Sequence, residues 1–288
     1  MKALAMRMAV PLVQRTPGLG YLVAELAAAA MWVLRSSLRR QAIANLAPFV
    51  GSPRAARRAS FQAFLNVGRY YVDLALIPRR DPRTFERQHV YVETPERLPS
   101  VEQPGPVIFV SAHYGNPDQL VQFLTSRRPT FTAVVERLEP PAVHRLLERL
   151  RSSHGGEFVE ADLKGTRRCL ERLRAGEPVA IVGDRDLTGR GVCVTLAGRR
   201  VKLPRGPWEL ARRTGAPVVP VFLRRLGRSD FAAWIGEPIP VSREGEHEEA
   251  VAAAVCRWAA VLEEQIRRDP GQWLVLEDFW EAHRCGES

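Results

Sequence analysis

PVIFVSAHYGNPDQL, residues 106–120, changes character twice, and those changes decide the fold class. From Pro106 to Ala112 the run is short, apolar and bounded by proline and a polar turn, the pattern of a buried strand. Asn116 then offers a side-chain cap and Pro117 a preset first helical residue, which predicts a helix over about residues 116–126. A buried strand that feeds a helix through a short turn is the repeating unit of a parallel sheet.

Downstream the unit recurs. Strands are expected at residues 130–135, near Phe158, at 178–183 (PVAIVG), 217–223 and 231–235. Between them lie helical stretches at 140–151, where Val143, Leu146, Leu147 and Leu150 share one face, and at 164–175, 205–214 and 246–267. A hairpin is expected before Lys202. Alternation of this kind predicts an α/β domain with a mostly parallel central sheet flanked by helices. Upstream, residues 41–100 read as a helical cap on a 101–288 core, continuous with a membrane-associated helical arm over residues 1–40.

The 42 Lys and Arg against 32 Asp and Glu leave a net charge of +10 and a pI near 10.2, which bears on partners rather than on fold. Residues 1–60 hold nine of the basic side chains and a single acid, Glu25. The excess therefore lies beside the most apolar run of the chain, Leu19–Leu34, an arrangement suited to an anionic membrane surface. No basic strand interleaved with aromatics and no zinc-finger spacing is present, so no nucleic-acid partner is expected. Sixteen residues, with Glu25 near the centre, are short for a span, which needs about 20 apolar residues. An interfacial helix is expected, with Tyr21 and Trp32 as headgroup-level anchors; a spanning helix is the alternative. Cys169, Cys193, Cys256 and Cys285 form no CxxC pair and imply neither a disulfide framework nor a metal site, so reduced thiols are expected. The six histidines are scattered, and no metal is expected.

His113 falls in the turn beyond the carboxyl end of the first strand, where open α/β sheets bind ligands. Asp118 falls in the first turn of the following helix, where the dipole favours its ionised form. A carboxylate reaching back across the turn would fix the imidazole tautomer and raise its basicity, making His113 a general base. Apart from Ser111 the turn holds no nucleophile, which favours a base acting on an external hydroxyl. Asp184, Arg185 and Asp186 follow the PVAIVG strand on the same sheet edge, and Glu136 and Arg137 follow another. These five, with Arg151 and Arg205 as candidate phosphate contacts, are the expected substrate-binding residues.

The H-x4-D spacing of His113 and Asp118 resembles the HxxxxD block of the glycerolipid acyltransferase superfamily. The nearer likeness is to its lipid A lauroyl/myristoyl acyltransferase branch, which includes the mycobacterial phosphatidylinositol mannoside acyltransferase. RRQAIANLAPFVG (39–51), AFLNVGRYYVDL (63–74), AVVERLEP (133–140), VGDRDLTGRGVCV (182–194) and LPRGPWELARRTGAPVVPV (203–221) carry it across most of the chain. Pro117, where that branch often has Trp, and the LAGRR loop (196–200), which lacks the usual aromatic pair, depart from the pattern. The resemblance implies transfer of a long acyl chain from acyl-CoA or acyl carrier protein to a lipid hydroxyl, with no cofactor. It also implies a place on the cytoplasmic face of the inner membrane. A non-catalytic membrane-binding or nucleic-acid-binding module and a thioester hydrolase are the competing readings.

Overall fold

A computed structural model describes residues 2–286. The chain opens with four helices, α1 (Lys2–Arg15), α2 (Pro17–Leu34), α3 (Ser36–Leu46) and α4 (Pro53–Leu76). Next come α5 (Pro82–His89), β1 (Val90–Val92) and the single turn α6 (Pro99–Glu102). The α/β core then runs β2 (Ile108–Ser111), α7 (Pro117–Arg127), β3 (Thr132–Val135), α8 (Pro141–Arg151), β4 (Glu157–Glu160), α9 (Leu163–Arg174) and β5 (Val179–Val182). After the hairpin β6 (Val192–Leu196) and β7 (Arg199–Leu203) follow α10 (Gly206–Thr214), β8 (Val218–Arg225), β9 (Phe231–Ile235), α11 (His247–Arg268) and α12 (Phe279–Ala282).

Seven strands form one sheet in the order β1-β9-β8-β2-β5-β3-β4, and every pairing is parallel except β8 with β9. The expected mostly parallel sheet with flanking helices is therefore present. β1 is an addition, because residues 41–100 read as a helical cap by sequence, yet Val90–Val92 pairs with Phe231–Ala233 at the sheet edge. Three residues are too few for a periodic signal; their strand state comes from the edge they dock against.

Both faces of β2 are buried, and they face different surroundings. Ile108, Val110 and Ala112 enter the large core under α10 and α11 with Trp208 and Trp258. Phe109 faces the opposite way, towards Leu120, Phe123 and Leu124 of α7. The β2–α7 turn is then clamped against β8. Gly115 takes φ +63°, and a Cβ there would lie 1.9 Å from the Leu223 carbonyl oxygen, so no other residue fits. Asn116 Oδ1 accepts from the Gln119 N–H at 3.0 Å, capping α7 as its sequence suggested.

Two sequence expectations are corrected. Cys193 and Cys285 are joined as a disulfide, with Cα atoms 6.0 Å apart, while Cys169 and Cys256 are free. The two cysteines are 92 residues apart and meet because the C-terminal segment returns along the hairpin, where Lys202 N–H donates to the His283 carbonyl at 2.7 Å. Tyr21 and Trp32, the expected headgroup anchors, point into the body instead. Tyr21 Oη donates to Asp73 at 2.5 Å, and Trp32 Nε1 donates to Ser60 at 3.1 Å. Glu25 also faces inward and bridges Arg69 and Arg228, each at 2.8 Å. Helix α2 packs closely on α4, where a Cβ on Gly68 would lie 2.8 Å from the Ala24 carbonyl oxygen. Its outer face keeps Leu19, Leu22, Val23, Leu26, Val33 and Leu34 exposed.

Candidate active site

His113 sits two residues beyond β2, with its N–H donating to Asp184 Oδ2 at 3.1 Å and its Nδ1 paired with Asp184 Oδ1 at 2.9 Å. Asp184 follows β5, the strand beside β2, and Gly183 N–H donates to the Ser111 carbonyl at 2.7 Å, which holds the two strand ends together. Trp273 Nε1 donates to the second Asp184 oxygen at 2.8 Å. The carboxyl is fully buried; burial by itself would raise its pKa, but the adjoining imidazole and these three donors bring it below the usual carboxylate range. An ionised Asp184 holds the proton on Nδ1 and leaves Nε2 as the basic nitrogen. Among the described residues Nε2 has no hydrogen-bond partner, and the imidazole is 36% exposed, enough for a substrate hydroxyl to reach it.

Asp118 is elsewhere. Its carboxylate takes Arg151 Nε at 2.8 Å and Nη2 at 3.2 Å, together with the Tyr70 hydroxyl. Arg151 Nη2 also meets the Tyr70 oxygen at 3.1 Å, closing a three-way cluster between α4, α7 and α8. Arg151 is largely buried and permanently charged, so it needs the carboxylate more than a neutral imidazole does. The expected His113–Asp118 contact is therefore replaced by His113–Asp184.

The imidazole opens onto a cavity of about 340 Å³. Phe109, Ser111 and His113 line it at every second position of β2 and its extension. Its floor is a row of register partners across four strands, Phe109, Ala180, Ala133 and Phe158. Two alanines in the middle of that row leave room that larger residues would fill. Val67, Tyr70 and Tyr71 of α4, Leu120, Val121 and Leu124 of α7, and Leu147 of α8 also line it.

Residues 18–282 match the family model of bacterial lipid A biosynthesis acyltransferases. The chain belongs to that family. It is 30% identical over 252 residues to a phosphatidylinositol mannoside acyltransferase of Mycobacterium tuberculosis, covering 83% of this chain and 76% of the relative. It is likewise 30% identical over 270 residues to the Mycolicibacterium smegmatis enzyme of that name, covering 90% and 85%. Among solved structures, the 1-acyl-sn-glycerophosphate acyltransferase PlsC of Thermotoga maritima aligns with 87% of this chain and 98% of that one, at 18% identity and a TM-score of 0.39.

In this acyltransferase the remaining candidates separate into two groups. Arg185 and Glu136 line the cavity with His113, Asp118 and Arg151, but the guanidinium is held by Glu136 at 2.9 Å and by Glu277 at 2.6 Å. Asp186 caps its own loop through the N–H groups of Thr188 and Gly191, at 3.0 and 2.6 Å. Arg137 is exposed, 3.7 Å from Glu160, and Arg205 pairs with Glu209 and Glu248 at the start of α10; neither lines the cavity. Sequence reasoning placed Asp184 at the right sheet edge with a different role. It missed Tyr70 altogether. Tyr70 lies on a helix and shows no motif; only the turn from Val67 to Tyr70 and Tyr71 on one helical face hinted that this stretch of α4 faces a pocket.

Proposed function

We propose that this acyltransferase moves a long-chain fatty acyl group from an acyl-CoA or acyl carrier protein thioester to a hydroxyl of a membrane glycolipid or lysophospholipid. The observation that carries this reading is the His113–Asp184 pair, with its free Nε2 at the wall of a cavity whose other walls are largely hydrocarbon. Nε2 takes the proton of the acceptor hydroxyl as the oxygen attacks the thioester carbonyl, and Asp184 stabilises the imidazolium that forms. The acyl chain lies over the row Phe109–Ala180–Ala133–Phe158. Collapse of the intermediate breaks the C–S bond, and the departing sulfur takes the proton back from the imidazolium. Base, hydroxyl and thioester account for every bond, so the reaction calls for no cofactor. Asp118 is a positioning residue in this scheme, fixing Arg151 and Tyr70 as the cavity's rim.

The exposed apolar face of α2, continued by Met8 and Leu12 of α1, is a surface for lipid. Arg7, Arg15, Arg35 and Arg40 lie exposed on the same helices or beside them, and Arg54, Arg57 and Arg58 are exposed on the first turns of α4. Such a combination suits peripheral attachment to an anionic leaflet and supports a reaction at the cytoplasmic face of the cell membrane. The test is release of free thiol from a long-chain acyl-CoA by the purified protein, with and without a lipid hydroxyl. Release that depends on the lipid, with an acylated lipid as product, is expected. Equal release in water alone would make the protein a hydrolase, and no release with surface binding intact would make it a non-catalytic module.

A further inference from the structure

The cavity wall carries few polar groups, and nearly all are engaged with one another. Tyr70, Asp118 and Arg151 form a closed cluster, and Arg185 is held between Glu136 and Glu277. Ser111 differs. It is 6% exposed, its Oγ is buried, and among the described residues that oxygen has no hydrogen-bond partner. Other orphaned side-chain atoms exist in the protein, but Ser111 is the one among them that lines this cavity. A buried hydroxyl without a partner destabilises a fold, so its presence on a ligand-bearing wall calls for a group that the ligand brings.

We infer that Ser111 is a catalytic residue whose hydroxyl donates a hydrogen bond to the carbonyl oxygen of the thioester, a role that rests on the proposed acyl transfer. The strand sets the geometry. Ser111 and His113 lie two positions apart on one side of β2 and its extension, so base and donor face the same space. A thioester seated there has its carbonyl carbon next to the acceptor hydroxyl held by His113 Nε2, and its chain lies towards Phe109. When the acceptor oxygen bonds to that carbon, the C=O π pair moves to the carbonyl oxygen and the hydroxyl proton passes to Nε2. The Ser111 O–H bonds more strongly to the resulting oxyanion than to the ground-state carbonyl, which is the condition for raising kcat. The C–S pair then leaves with the thiol sulfur, the imidazolium gives up its proton to it, and the Ser111 hydroxyl is returned unchanged. Arg185, the other donor on this wall, is held by two carboxylates, Glu136 and Glu277.

The test compares Ser111→Ala and Ser111→Thr with the wild-type chain, using a long-chain acyl-CoA and a lipid hydroxyl. An S-alkyl-CoA thioether, which lacks the carbonyl, serves as a binding probe, and Tm is read for each protein. Ser111→Ala is expected to lower kcat by about 10²-fold, the usual loss for one oxyanion donor. Its affinity for the thioether should be unchanged and its Tm equal or higher, because the change removes an unpaired hydroxyl. Ser111→Thr, which keeps the hydroxyl, should retain more activity than Ser111→Ala. A kcat for Ser111→Ala within threefold of wild type overturns the inference and leaves the acyl-transfer reading standing. Loss of kcat together with weaker thioether binding and a lower Tm overturns it too, since packing would then explain the loss. An acyl adduct on Ser111 in an intact-mass spectrum would make it a nucleophile, against this role. A wild-type chain that transfers no acyl group removes both readings.

Discussion

Asp184→Asn and Asp118→Asn are nearly isosteric changes of two carboxylates in one site, and the structure predicts opposite failures for them. In Asp184→Asn the amide oxygen can still accept from one donor, but Nδ1 of His113 loses its anionic partner at 2.9 Å. No permanent charge is stranded, because the imidazole can remain neutral. Folding should therefore suffer little, while the reaction loses both the tautomer that presents Nε2 and the charge that stabilises the imidazolium. General-base catalysis supplies about 10²–10⁴-fold, and loss of the anionic orienter of a serine-protease triad costs about 10⁴-fold. A fall in kcat of about 10²–10⁴, or roughly 3–5 kcal/mol, is expected for Asp184→Asn. Asp118→Asn instead leaves the buried Arg151 guanidinium without its counter-charge at 2.8 Å. Breaking a buried pair from one side costs about 3–5 kcal/mol, which lowers Tm by on the order of 10 °C. Its kcat, measured on protein that remains folded, should fall less than that of Asp184→Asn. The assays are lipid-dependent thiol release with product mass spectrometry, and thermal unfolding. A double variant of His113→Ala with Asp184→Asn should be little worse than His113→Ala, because residues that act as one unit are non-additive. If Asp184→Asn kept more than about a tenth of wild-type kcat, well short of that range, while Asp118→Asn lost it without a change in Tm, the imidazole's partner in catalysis would be Asp118 and the reasoning would fail.

Three further outcomes follow from the cavity and the arm. Ala180→Leu fills the middle of the floor row, and at about 0.8 kcal/mol per buried methylene the exclusion of three methylenes costs roughly 2–3 kcal/mol. Turnover should shift to shorter acyl donors, and an unchanged preference across a series of acyl-CoA lengths would show that the chain lies elsewhere. Leu22→Glu with Leu26→Glu on the exposed face of α2 should weaken binding to anionic vesicles without lowering Tm, and unchanged co-sedimentation would rule out that face. Glu25 holds the same helix to the body, and hydrogen bonds from Arg228 and Arg69 lower its pKa. A depressed pKa means that its contribution is present above the unfolded value of about 4.3 and is lost as pH falls through the folded one. Proteolysis of the arm should therefore quicken only below that range, and Glu25→Gln should show the quickening at neutral pH as well.

Strand–helix alternation was legible in the chain because each element carries its own period: the run 106–112 is apolar but for Ser111, and α8 places Leu146, Leu147 and Leu150 on one face. The position of His113 was legible too, since a turn after a buried strand must emerge at the sheet edge. Asn116 and Pro117 fix the turn through local backbone chemistry, which sequence states directly. The partner of His113 was not legible. Asp118 is five residues away in sequence and Asp184 is 71, yet β2 and β5 are neighbours in the sheet and their ends lie side by side. Strand order is a property of the whole sheet, and no local pattern encodes it. The same holds for Asp118, whose nearness to Arg151 depends on how α7 and α8 pack, and for Cys193 and Cys285, brought together by the return of the C-terminal segment. Glu25 shows the reverse case. Its place in an apolar run argued against a spanning helix from composition alone, but only the packing of α2 on α4 turned that acid inward and left the hydrocarbon face outside.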